Sequence, residues 1–310
     1  VKALSKNEAI FKGDDVIAFF TSDTQDEVNF DEYTHIEFDE EILQIKNTWD
    51  IFSLNDKAIQ QDFDFITEDR TSQPIPEGTR CIHKENIFIE EGAEITFAIL
   101  NASAGPIYIG KDAKVMENSV IKGPFAMCHH TEVKMAARIS GGTTLGPYCK
   151  VGGEVNNSVL MGYSSKGHDG YLGNSVLGEW CNLGADTNNS NLKNNYAEVK
   201  LWDYQTGRFA KTGLQFCGLM MGDHSKCGIN TMFNTGTVIG VSVNIFGSGF
   251  PRNFVPSFSW GGASGFTEYK TNKVFEVAAV VMQRRALIFD EIEQRILQHV
   301  FDETAQYRNY

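Results

Sequence analysis

Apolar residues recur at a period of six along the middle of the chain: Ile109, Val115, Ile121, Met127, Val133, Ile139, Leu145 and Val151. Met221, Cys227, Phe233, Ile239 and Ile245 keep the same beat further on. A helix repeats at about 3.6 residues and an alternating strand at about 2, so a period of six fits neither. It is the beat of a parallel β-helix, in which one short strand and one tight turn make each side of a coil. One residue in six then points inward and stacks on its counterparts in neighbouring coils. Gly follows several of these positions, as at Ile109-Gly110 and Leu145-Gly146, and relieves the corner backbone. The alternative is an antiparallel sheet with chance spacing, and eight consecutive hits argue against it.

The chain has 310 residues, 42% of them hydrophobic, enough for a sizeable core. It has no run of apolar residues long enough to span a bilayer. The start, Val1-Lys2-Ala3-Leu4, lacks the pattern of a signal peptide and an initiating Met, and reads as a fragment or a processed chain of cytoplasmic origin. A formal net charge of −13 argues against nucleic acid or an acidic membrane as the main partner. An anionic substrate therefore needs a locally basic pocket. Six cysteines, Cys81, Cys128, Cys149, Cys181, Cys217 and Cys227, include no CxxC pair, so they read as reduced, mostly buried thiols. His129-His130 and His224 lack the spacing of a three-His zinc site, and no metal is expected.

Three segments follow. Residues 1–75 are off the beat and read as a partial α/β domain, with a strand at Val16–Phe20 and an acidic stretch from Asp23 to Glu41. Within it Asn55 is placed to cap a helix through Ala58, Ile59, Phe63 and Ile66. Residues 76–260 carry the coils, beginning near Ile87, with the beat broken near 101–105, slipping at 155–175 and broken again at 188–213. The last break reads as a projecting hairpin around Leu201-Trp202 and Phe209-Ala210. Phe254, Phe258 and Trp260 read as packing aromatics. Residues 261–310 hold a helix from about 272 to 306, whose apolar stripe through Val281, Ile288, Ile292, Ile296 and Val300 must be buried across the end of the coils or against another subunit.

Polar residues gather where the beat slips. Ser165-Lys166-Gly167-His168-Asp169-Gly170-Tyr171-Leu172-Gly173 is followed by Leu177-Gly178-Glu179-Trp180-Cys181-Asn182-Leu183-Gly184-Ala185-Asp186-Thr187 and by Asn189-Ser190-Asn191. This block resembles the acetyltransferase half of the GlmU-like family, the bifunctional N-acetylglucosamine-1-phosphate uridyltransferase and glucosamine-1-phosphate acetyltransferase, in the form found in Bacteroidetes-type genomes. The resemblance covers roughly residues 105–250 and is most specific at 164–191. It implies a left-handed parallel β-helix, a homotrimer with sites between subunits, and acetyl-CoA as co-substrate.

The resemblance also implies residue roles. His168 stands at the general base, where a neutral imidazole can take a proton. Arg138, thirty residues earlier, stands at the position that grips the sugar phosphate. Glu154, Tyr171, Asn182 and Asn191 stand at substrate-contacting positions, and Ala185 where acetyl-CoA passes close to the backbone. The chain departs from the family at Asn156, where a Lys is expected, at Leu192 for Tyr and at Asp186 for Gly, and the Lys166-to-His168 spacing is one residue tighter. The nucleotide-binding G-x-G-T motif of the uridyltransferase half is absent from the sequence. The expected activity is N-acetylation of an amino-sugar phosphate. The alternatives are the oligomerising or regulatory β-helix of a sugar-phosphate nucleotidyltransferase and a non-catalytic scaffold.

Overall fold

The six-residue beat folds into three parallel sheets wound as a left-handed β-helix, seen in a computed structural model that describes residues 4–25 and 27–310. The chain start Val1–Ala3, and Asp26 of the acidic stretch, lie outside the described residues. Contacts divide the chain at Gln44/Ile45 into two units.

In the first unit, Glu8–Lys12 pairs antiparallel with Asp15–Phe19 and parallel with Thr34–Glu37. Ala9, Phe11 and Tyr33 are its buried centre, with Phe30 edge-on to Phe11.

The second unit holds the coils. The first sheet stacks Arg80–Ile82, Ile99–Asn101, Val120–Lys122, Arg138–Ser140, Glu154–Asn156 and Tyr171–Gly173. The second stacks nine strands from Ile87–Ile89 to Phe254–Val255, and the third runs from Glu94–Ile95 to Ser259–Gly262. The coils thus begin at Arg80, earlier than the beat announces, because Cys81 holds the inward place in register with Leu100. Every residue of the two six-residue runs is buried, at 5% exposure or less. They alternate among the sheets: Met127 pairs with Ile109 and Leu145, Val133 with Val115 and Val151, Ile139 with Ile121. Strand alternation leaves the residues flanking each inward one facing outward.

Corner residues of successive coils adopt positive φ and stack as a ladder. His130, Tyr148, Tyr163, Trp180 and His224 lie at φ 56 to 61°. Their rings follow one another at 4.8, 5.1, 4.1 and 6.1 Å. The left-handed conformation costs an L-residue roughly 1–2 kcal/mol, and ring stacking offsets it by roughly 0.5–1.5 kcal/mol per pair. All six cysteines are free. Cys149 and Cys181 donate to the carbonyls of Met161 and Gly222 at 2.7 and 3.2 Å, and burial pushes both thiols up to about 12. They are turn-stabilising donors with little thiolate character.

Two local expectations need correction. Asn55 does not cap the helix Asn55–Thr67, which begins on it. Its amide is engaged instead, donating to Gly142 O at 2.7 Å and accepting from Thr144 Oγ1 at 2.9 Å, which pins the helix to the second sheet. The C-terminal helix is two helices, Thr271–Gln283 and Glu291–Glu303. The chain turns at Ala286 with φ 57°, and Asp290 caps the second helix by accepting from Ile292 N and Glu293 N. Among the described residues the stripe is covered only in part: Leu297 is buried, Val300 packs beside it and Phe301 meets Phe258 edge-on, whereas Ile288, Ile292 and Ile296 are 81%, 65% and 53% exposed. The last coil is closed by an antiparallel strand, Gly265–Glu268, rather than by a helix. The projecting hairpin is present as Lys200–Asp203 and Arg208–Lys211, with Trp202 stacked on Phe254 at 4.2 Å. Phe258 is fully buried, while Trp260 is half-exposed beside Phe246.

Candidate functional site

Arg138, Glu154 and Tyr171 are successive rungs of one ladder. They are directly paired across neighbouring strands of the first sheet, and all three hold outward positions. The inward partners Ile139, Val155 and Leu172 are buried, so the three polar side chains line up on the outer face. Arg138 Nη2 lies 3.3 Å from Glu154 Oε2, with both side chains largely in solvent. Asn191 joins them from the chain's return into the hairpin insertion: its amide donates to the Tyr171 hydroxyl at 2.9 Å and to Asn174 Oδ1 at 2.7 Å. Burial pushes the Tyr171 phenol up against the lowering effect of the Asn191 hydrogen bond, the Glu154 charge adds to the rise, and the phenol stays protonated.

His168 occupies the corner immediately before Tyr171. Its side chain is exposed and makes no hydrogen bond among the described residues. Its backbone is fixed. Asp186 N donates to Asp169 O at 3.1 Å, and a Cβ on Gly153 would stand 2.9 Å from His168 O. Gly153 has φ 70°, so that close approach is available to glycine alone. Ala185 lies in the same corner one coil on, its carbonyl accepting from Asn230 N. Asn182 is not part of this group. It lies on the third sheet, paired with Ser165 and Lys226, and faces a different cleft. Asn156, where a Lys is expected, donates to Ser140 Oγ at 2.9 Å along the ladder.

Sequence reasoning missed Lys166 as an inward residue. It is 2% exposed and in register with Val151 of the previous coil. Its stem takes an apolar place and its amine donates to Gly152 O at 3.0 Å and to His168 O at 2.6 Å. Lys166 therefore ties down the turn that carries His168. Burial lowers its pKa to about 8 from 10.5. The signal was in the sequence: Leu160, Lys166 and Leu172 keep the six-residue step. Asn188, which accepts from Tyr171 N at 2.8 Å, was missed because nothing in the spacing separates it from loop residues.

A charge with a lowered folded pKa gives a pH test. Between about pH 8 and 10.5 the unfolded chain holds more proton on this residue than the folded one, so the penalty of the buried ammonium fades as pH rises. Lys166→Met removes that penalty. Its stability relative to wild type should therefore be best near pH 7 and should worsen by about 2 kcal/mol by about pH 9.5. Urea unfolding of both proteins at the two pH values checks this; a pH-independent difference would mean that the amine is not buried.

The model of the sugar nucleotidyl transferase family matches residues 1–71, less than a quarter of the chain. No curated protein matches the sequence. Solved structures that resemble the fold include a mutant of AntD, an N-acyltransferase from Bacillus cereus, in complex with dTDP-4-amino-4,6-dideoxyglucose and coenzyme A. It shows 12% identity over 66% of this chain and 91% of that one, with TM-score 0.30. The polysialic acid O-acetyltransferase OatWY is 15% identical over 62% and 87%, with TM-score 0.31. An Arabidopsis UDP-N-acetylglucosamine acyltransferase is 14% identical over 66% and 77%, with TM-score 0.29. Among the described residues no group of His, Cys, Asp and Glu could hold a metal ion, and no helix is long and apolar enough to cross a membrane.

Proposed function

We propose that this chain is an acetyl-CoA-dependent N-acetyltransferase acting on an amino-sugar phosphate, in the synthesis of nucleotide sugars or cell-envelope precursors. The observation that carries the reading is the outward ladder of Arg138, Glu154, Tyr171 and Asn191 beside an exposed His168 on a fixed turn. The arrangement suits two tasks. Arg138 presents a fork of donors to a phosphate, while Glu154, the Tyr171 hydroxyl and Asn191 offer acceptors and donors to sugar hydroxyls and to the amine. The amine attacks the thioester carbonyl, a C–N bond forms and the C–S bond breaks. His168 takes the proton from the nitrogen and passes it to the departing sulfur, so that coenzyme A leaves as the free thiol. Ala185, small and in the same corner, leaves room for the donor to pass close to the backbone.

Asn182, apart from the ladder within one subunit, fits the reading if sites lie between subunits of a homotrimer. The uncovered Ile288, Ile292 and Ile296 fit it too, as a surface that association would cover. The test is turnover with acetyl-CoA and a panel of hexosamine phosphates, followed by thiol release and product mass, alongside light scattering at micromolar concentration. Acetylation of one amino-sugar phosphate by a trimer is the expected result. No acetylation of any of them rejects the reading, and a clean monomer rejects the shared site.

A second reading is favoured by one observation, the match of residues 1–71 to sugar nucleotidyl transferases. In it the β-helix oligomerises or regulates a nucleotidyltransferase carried on a longer parent chain. Nucleotidyl transfer by such a parent, with no acyl transfer by it or by this chain, decides for that reading.

A further inference from the structure

The third sheet carries a cleft that the ladder does not use. It lies between the sheet's outer face and the end of helix Thr271–Gln283, with a volume near 470 Å³. That is within the roughly 300–1,000 Å³ usual for small-molecule sites. Four cations line it: Lys150, Lys226, Arg284 and Arg285. Lys150 is held by Glu132 at 2.9 Å. The other three have no carboxylate within ion-pair distance among the described residues. Among the described residues the Lys226 amine donates to His224 O, two residues earlier, at 2.9 Å, and the Arg285 guanidinium to Tyr148 O at 3.5 Å. Burial, and after it the charges of Asp223 and Glu293, push the Glu179 carboxyl up, and among the described residues none of these acids pairs with Lys226, Arg284 or Arg285.

Three uncompensated cations in one cleft are an exception in a chain of net charge −13. The carbonyls at the end of helix Thr271–Gln283 account for a cation there. They do not account for Lys226, which comes from the sheet, is half-buried, and has its pKa lowered by burial. Like charges gathered without a counter-charge repel, and a bound anion offsets that cost. The rest of the wall is of another kind. Tyr163 and Trp180 present their edges, their faces being taken by the corner stack, and Val281 adds apolar surface. Ser165 and Asn182 supply neutral donors and acceptors.

We infer that this cleft binds a nucleotide through its phosphates. Arg284, Arg285 and Lys226 meet the phosphate oxygens, and the nucleoside lies against Tyr163, Trp180 and Val281, with Ser165 and Asn182 in reach of its polar edge. Two ligands share this chemistry: the nucleoside diphosphate of a nucleotide sugar, and the adenosine bisphosphate end of coenzyme A. Within one subunit the cleft lies apart from the His168 ladder, and it stands whether or not the ladder is catalytic.

Calorimetric titration of the full chain with UDP and with adenosine 3′,5′-bisphosphate tests it. At least one should bind, uridine and adenosine should not, and Arg284→Gln/Arg285→Gln should weaken binding by roughly tenfold or more, the size of a lost charge-assisted contact. Lys226→Met, on a different element, should weaken it as well. Tighter binding of UDP assigns the site to a nucleotide sugar, and tighter binding of the bisphosphate assigns it to the acyl donor. Arg284 is exposed and Arg285 half-buried outside the hydrophobic cores, so the variant should keep the wild-type circular dichroism. Neither ligand binding at millimolar concentration, or binding unchanged in the folded double variant, overturns the inference.

Discussion

His168→Ala is expected to lower acyl-transfer turnover by about 10²–10⁴-fold, the usual size of general-base assistance, while leaving the unfolding midpoint unchanged. The two halves of this expectation have different sources. The fold half follows from the structure: the imidazole is exposed and unbonded among the described residues, and the turn is held by backbone contacts and by the Lys166 amine. The rate half follows from the proposed reaction. Arg138→Ala should act differently. It should raise KM for the sugar phosphate with little change in kcat, since it removes binding present in both ground and transition states. Its own ion pair with Glu154 is exposed and worth no more than about 1 kcal/mol, so stability should hardly move. Initial-rate kinetics on the three proteins separate these outcomes. If wild type acetylates an amino sugar and His168→Ala does so equally fast, the base lies elsewhere. Tyr171 would be a poor replacement, because burial already holds its phenol in the protonated form.

The coils were legible because their signal is geometric. An inward side chain must recur once per side of the coil, and Ile109 through Val151 do so without a gap. The site was legible only in part, for a reason in the same geometry. Arg138 follows Val120 in the ladder by a coil of eighteen residues, but Glu154 and Tyr171 follow by sixteen and seventeen. Shortened coils break the beat where the functional residues sit, so spacing alone could not align them. Lys166 escaped because an inward position was equated with an apolar one. Its four-carbon stem satisfies the core while its amine satisfies two carbonyls. The capping rule failed at Asn55 for a tertiary reason: the side chain that could close the helix end is taken by Gly142 and Thr144, 87 and 89 residues away. The break between the last two helices was written in Asp290 and the residues before it, but the spacing of Ile288, Ile292 and Ile296 ran across it. Periodicity reports which residues share a face and is silent on whether anything covers that face.

Phe125→Ala is expected to cost about 3–5 kcal/mol of unfolding free energy, the range for emptying a buried aromatic site. Phe125 has no exposed surface and stands in register between Ile107 and Thr143 of the adjacent coils. A β-helix has little means of closing the resulting cavity. Each coil touches only its two neighbours, and their separation is fixed by the parallel backbone ladder, so the walls cannot move together without breaking hydrogen bonds. The loss should therefore fall in the upper part of the range, and should appear as a lower denaturation midpoint with an unchanged slope if the coils unfold as one unit. A changed slope would instead mean that the stack has parted at the weakened coil. Met135→Ala is the control within the same stretch: it sits on a corner, is 67% exposed, and should change stability by no more than about 0.5 kcal/mol. A cost below about 1 kcal/mol for Phe125→Ala, against the same control, would place the ring outside the core and overturn the inward assignment of its strand.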